Sequence, residues 1–178
     1  MPPLEVLQFP DPRLKEVSVP VSDVDDALRA LADEMLAVMY DEPGIGLAAP
    51  QVGHAIRLVV MDTDWSDEGQ DKDPAVILNP EIIEREGKVG WEEGCLSVPD
   101  FTAEVERSAH IVVRYQDLDG KEVTEEVSGL RAVCFQHEID HLDGVLFIDR
   151  ISRLRRSMYV KRRKKQLRQE EEPASLGS

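Results

Sequence analysis

No stretch of this 178-residue sequence comes near the roughly 18 consecutive apolar residues that a membrane-crossing helix needs. The opening MPPLEVLQFPDPRL has neither the basic n-region nor the apolar h-region of a secretory signal, so the expected compartment is the cytoplasm. Cysteine is equally scarce. With Cys95 and Cys134 alone, at most one disulfide is available, and in a reducing compartment both are expected as thiols. For a lone thiol the plain expectation is a small buried hydrophobe, from which Cys95 departs below. Internal repeats and long low-complexity linkers are also missing. The length suits one domain with a real core and is short for two ordinary ones.

Acidic residues are absent from 150–168, RISRLRRSMYVKRRKKQLR, which holds ten of the 21 basic residues. Residues 1–149 carry eleven basic residues against 33 acidic, and EEE follows the basic run at 170–172. An acidic body with one basic arm is the result. A solvated helix face explains such an arm plainly. Its functional alternative is sequence-independent, salt-sensitive contact with the phosphates of ribosomal RNA. Neither a membrane nor DNA is expected as a partner.

Helical spacing of Val24, Leu28, Leu31, Met35, Leu36 and Met39 predicts an amphipathic helix, with Ser22 or Asp23 as cap and Gly44 after its end. AIRLVVMD, AVILNPEII, AEVERSAHIVVRYQDLDG and KEVTEEVSG read as strands, with DLDG at 117–120 as the hairpin turn between the last two. DTDWSDEGQDKDP between the first two is a surface loop. LRAVCFQHEIDHLDG returns to a helical period that puts Leu130, Val133, Cys134, His137 and His141 on one broad face. A last helix starts near Ser152 and frays into EEEPASLGS. Strands followed by a helix set against them make the fold class α+β. The expected division is a catalytic unit over 1–150, which supplies the core, and a basic helix with an acidic tail over 151–178.

Only four histidines are present, and two of them stand four apart in QHEIDHLDG at 136–144. Histidines at i and i+4 share a helix face and can bring two imidazole nitrogens to one ion, with Glu138 flanking them in the pattern HExxH. Two imidazoles leave a divalent ion under-ligated, because a hydrolytic site wants three protein ligands and one open position. No histidine follows His141, and the next glutamate is Glu170. Asp143 and Asp149 are weak candidates. Cys95, in WEEGCLSVP, is the better one, since Gly94 beside it lets the backbone approach closely. His54 and His110 match no motif and are expected as ordinary surface or strand residues.

GIGLAAPQVG at 44–53, EGCLSVP at 93–99 and QHEIDHLDG at 136–144 resemble, in order and spacing, the three signature motifs of bacterial peptide deformylases. The resemblance spans about residues 4–150, VLQFPDPRL included, and the agreement of three motifs makes it specific. It implies a deformylase-like fold with strands around a central HExxH helix and a helix near each end. The implied activity is hydrolytic removal of formate from the formyl-methionine that begins nascent chains. Cys95, His137 and His141 would then bind the metal, with water in the fourth place. That ion would be Fe2+ physiologically, with Ni2+, Co2+ or Zn2+ able to replace it. The same resemblance makes Glu138 the acid/base and gives the carbonyl oxygen to Gln51 and the N–H of Leu96. It also builds the methionine pocket from Ile45, Trp91, Leu130, Val133 and the ring edge of His137, with Cys134 nearby. Gly46 is expected to meet the peptide by strand-like pairing, and Gly94 is expected as a further substrate contact. Family members vary at the position of Trp91, so an indole there reshapes the pocket.

Two other readings compete. An HExxH protease lacks its downstream third ligand here, and a formylated against an unformylated peptide separates the two. A ribosome-associated binding protein with a structural metal would fill the fourth position with another Cys or His, and none stands near the motifs.

Overall fold

The computed structural model describes residues 4–65 and 71–171. Its first helix, α1 (Asp26–Asp41), is capped by Asp25, whose carboxylate accepts the N–H of Leu28 at 2.8 Å. Ser22, Asp23 and Val24 therefore lie outside the helix. The reason is tertiary: the Asn79 side chain pairs with both the N–H and the C=O of Val21 and keeps the chain extended until just before Asp25.

Five strands form one antiparallel sheet in the order β1 (Gly46–Ala48), β2 (Leu58–Met61), β3 (Ala75–Glu86), β6 (His110–Gln116) and β7 (Glu122–Ser128). Two more, β4 (Val89–Cys95) and β5 (Val98–Arg107), form a separate ribbon. The expected single strand run at 103–120 is thus two strands in different sheets. Gln136 pins the joint by accepting from the N–H of Ser108 at 2.9 Å and donating to its carbonyl at 3.0 Å. Neither β1 nor β4 was expected as a strand. Their glycines and glutamates disfavour strands locally, and cross-strand pairing overrides that preference. The hairpin at 117–120 forms as expected, with Gly120 at φ 78°.

Every residue of β2 is buried, since the sheet is covered on both faces rather than one. Leu58 and Val60 pack with Met35 and Met39 of α1. Val59 and Met61 pack with Ala132, Phe135 and Ile139 of α2 (Gly129–Leu142) on the other face. Gly144, at φ 75°, ends α2 with its N–H on the carbonyl of His141 at 3.1 Å.

A third cluster joins Phe9, Val98, Val105 and Phe147 to Tyr159 of α3 (Arg153–Glu171). The expectation that the core is complete before residue 150 is therefore corrected. Tyr159 is 2% exposed and stacks on Phe101 at 4.8 Å, while buried Arg163 donates to the Phe9 carbonyl at 2.9 Å. α3 starts beside Ser152, as expected, and Ser152 Oγ accepts the N–H of Arg155. The frayed tail beyond Glu171, and residues 66–70 of the loop expected at 62–74, lie outside the described residues. Within that loop Asp62 is buried, not surface. No helix among the described residues is long and apolar enough to cross a membrane.

Candidate active site

α2 runs between the two sheets and carries His137 and His141 one turn apart, with their Nε2 atoms 3.2 Å from each other. β4 ends at Cys95, whose Sγ lies 3.3 Å from His141 Nε2. All three donor atoms fall within 4.8 Å of one another, making them the only such group among the described residues. Asp143 and Asp149 are elsewhere, paired with Arg57 and Arg156 at 3.0 Å. His110 contacts Ser128.

The donor set fits a divalent metal. His137 presents Nδ1 to Glu93 Oε1 at 2.9 Å, which holds its ring and leaves Nε2 for the site. Burial and the neighbouring His137 hold His141 well below the usual imidazole range, which favours the neutral ring that a metal would need. Burial also acts against a charge on His137, but the partners Cys95 and Glu93 outweigh it and push that ring up.

Glu93 had no assigned role in the sequence, although it lies in EGCLSVP. Its carboxylate takes two bonds from Arg107, at 2.7 and 2.8 Å, and Arg107 bonds Asp140 of α2 at 2.7 Å. Arg150 closes the network on Asp140. This buried chain fixes β4, and with it Cys95, against the helix that carries both histidines. Burial disfavours the Glu93 charge, yet the hydrogen bonds from Arg107 and His137 prevail and hold its carboxyl below the usual range.

A cavity of about 630 Å³ opens beside the three donors. Ile45, Gly46, Trp91, Gly94, Leu130 and Val133 line it, as do Cys134, Gln51 and Leu96. Every residue expected to touch the peptide is therefore brought together. Glu138 also lines it, only 2% exposed and 3.9 Å from His141 Nε2. Burial pushes its carboxyl up to about 7, against the opposing pull of His137. Gln51 is buried too: its Oε1 accepts from Ala48 N–H at 2.9 Å, and its Nε2 donates to Ser97 Oγ at 3.1 Å and to Cys95 Sγ at 3.6 Å. Asp100 and Phe101 form part of the rim, and neither was singled out in the sequence.

Known proteins resemble this chain in both sequence and fold. The profile of the family described as polypeptide deformylase matches residues 3–157. The chain belongs to that family. It is 54% identical to a peptide deformylase of Mesorhizobium japonicum over 99% of both chains. A crystal structure of a peptide deformylase from Legionella pneumophila superimposes with a TM-score of 0.86 at 41% identity, covering 95% of this chain and 98% of the other. One from Ehrlichia chaffeensis in complex with actinonin gives 0.86 at 38% identity over 93% and 98%. As a member, the protein is a metal-dependent hydrolase that removes the formyl group from formyl-methionine at the start of nascent polypeptides and releases formate.

Proposed function

We propose that Cys95, His137 and His141 hold the metal, that this ion is Fe2+ in the cell, and that Glu138 moves the proton in deformylation. The observation that carries the reading is the convergence of those three donors beside a buried carboxylate, with Cys95, His137 and Glu138 lining one cavity. A thiolate with two neutral imidazoles leaves one positive charge on a divalent site and suits a soft or oxidisable metal. Bound there, a divalent cation supplies Lewis acidity, which makes water a competent nucleophile near neutral pH and polarises the formyl carbonyl.

Glu138 takes the proton of the attacking water on its carboxylate and returns it to the departing methionyl nitrogen. A carboxyl near 7 suits both directions of transfer. As charge gathers on the formyl oxygen, Gln51 Nε2 turns its long contact with Cys95 Sγ towards that oxygen, and the N–H of Leu96 supplies a second donor. Each such donor is worth about 3 kcal/mol.

Strand register supports an extended pose for the peptide. Ile45 gives its carbonyl to Asp62 N–H at 2.8 Å, and Gly46 stands opposite Met61, so the peptide groups of Gly46 face away from β2. β1 is the edge of its sheet, and an extended substrate can pair there. The methionine side chain then enters the pocket of Ile45, Trp91, Leu130, Val133 and the His137 ring, where Gly94 also lines the cavity.

Formate release from formyl-Met-Ala-Ser under anaerobic conditions, before and after chelation and with each metal added back, tests the reading. Glu138→Ala should keep the metal and lose roughly a hundredfold or more in kcat. Cleavage of an unformylated peptide, or normal turnover by that variant, would sink it.

Ribosomal RNA is the proposed partner of α3 in the cytoplasm. Arg153, Arg155, Lys161, Lys164, Lys165 and Arg168 are exposed, whereas Arg163 and Arg156 are spent on internal bonds. Replacing Lys161, Lys164, Lys165 and Arg168 by glutamine should leave short-peptide turnover intact and weaken salt-sensitive ribosome sedimentation. Unchanged sedimentation would reduce the arm to a solvated face.

A further inference from the structure

The loop after β2 reaches back to the strand edge that the substrate is proposed to use. Trp65 donates its Nε1–H to the carbonyl of Gly44 at 3.1 Å, and Asp62 N–H holds the carbonyl of Ile45 at 2.8 Å. Gly44 is held from its other side as well, since its N–H bonds the Met39 carbonyl at the end of α1 at 2.6 Å. Both Gly44 and Ile45 line the cavity, whereas Trp65 does not.

The loop is itself anchored. The Asp62 carboxylate accepts from the Tyr40 hydroxyl at 2.6 Å, from Asp73 N–H at 2.8 Å and from Asp64 N–H at 3.2 Å. Tyr40 meets the Trp65 ring edge-on, with centroids 4.9 Å apart, and the Lys72 ammonium lies 4.4 Å from the Tyr40 ring centre. A rigid aromatic post therefore stands behind Gly44.

We infer that Trp65 is a positioning residue for the peptide: by fixing the Gly44 carbonyl it sets the plane of the backbone from 44 to 46 before substrate pairs along it. Pre-set geometry improves binding because ordering is not left to the binding event. The effect belongs to the peptide backbone beyond methionine, since the reacting formyl group lies at the donors of α2 and β4. The inference rests on the strand-pairing reading above.

Trp65→Phe keeps one aromatic ring beside Tyr40 and Lys72 and removes the indole N–H together with the second ring. Steady-state kinetics on formyl-methioninamide and on formyl-Met-Ala-Ser-amide are compared, together with metal content and Tm. In the wild type the longer substrate should have the lower KM. In the variant its KM should rise about three- to tenfold, the range of one hydrogen bond. Its kcat, the KM of formyl-methioninamide, the metal content and Tm should stay close to wild type. An equal effect on both substrates, or a fall in Tm accompanied by lower kcat, would mean a merely structural role and overturn the inference. So would unchanged kinetics. If the wild type itself gains nothing from the longer peptide, the strand-pairing reading fails first, and that result is distinguishable from failure of the Trp65 role alone.

Discussion

Gly46→Ala puts one methyl group where β1 meets α2. A Cβ there would stand 2.8 Å from Glu138 Oε2, 2.9 Å from Cys134 Sγ and 3.1 Å from Glu138 Cδ. Ordinary contacts between such atoms are about 3.5 Å or more, so each must open by roughly half an ångström. β1 cannot retreat freely, because its other edge is paired with β2 through Gly46, Leu47 and Ala48. The side chains must give instead, and two of the three close atoms belong to the Glu138 carboxyl group. Overpacking of this size costs about 1–3 kcal/mol of stability. The cost to turnover is larger, since misplacing a reacting group by about 1 Å can lose a hundredfold. Formate release should therefore fall roughly ten- to a hundredfold in kcat, with metal content unchanged. Adding Cys134→Ala removes the sulfur contact and should recover part of the stability but little of the turnover. Turnover within about twofold of wild type would refute the reasoning, since it would show that Glu138 accommodates the methyl without leaving its working position.

Arg107→Met leaves Glu93 and Asp140 buried without their shared cation and should cost about 3–5 kcal/mol by urea unfolding; a loss below about 1 kcal/mol would show that Arg150 alone suffices. The pH dependence of the Glu93 contribution has a definite sign. Because its folded carboxyl lies below the usual value, the stability it adds is fully present above the unfolded value of about 4.3 and is lost as pH falls through the folded one. The unfolding free-energy difference between wild type and Glu93→Gln should thus be flat at higher pH and shrink in acid; a difference that stays constant would contradict it. Tyr159→Ala removes a ring that is 2% exposed and stacked on Phe101 of the cavity rim. It should cost about 3–5 kcal/mol and raise KM for longer peptides, whereas a stability within about 1 kcal/mol of wild type would separate α3 from the core.

The candidate site was legible early because its signals are local. His137 and His141 share a face at i and i+4 whatever the rest of the chain does, and GIGLAAPQVG and EGCLSVP carry their residue types in short runs. The first helix and the HExxH helix followed from spacing, and the turn at 117–120 from its residue types. Cys95 could be preferred over Asp143 and Asp149 from the sequence, but only the fold brings its sulfur to His141. Other features had no local signal. Arg107 is one arginine among many until β5 crosses β4, and Glu93, Asp140 and Arg150 become one network only when the ribbon, α2 and the turn after it meet. In the same way, Tyr159 sits in a run so basic that it read as an arm outside the core, yet its ring completes a core cluster begun by Phe9 and Val98. Helical spacing is set by neighbours along the chain. Burial of an ion pair or a ring is set by which distant segments arrive beside it, and that was decided only by the packing of α2 between the two sheets and of α3 against the ribbon.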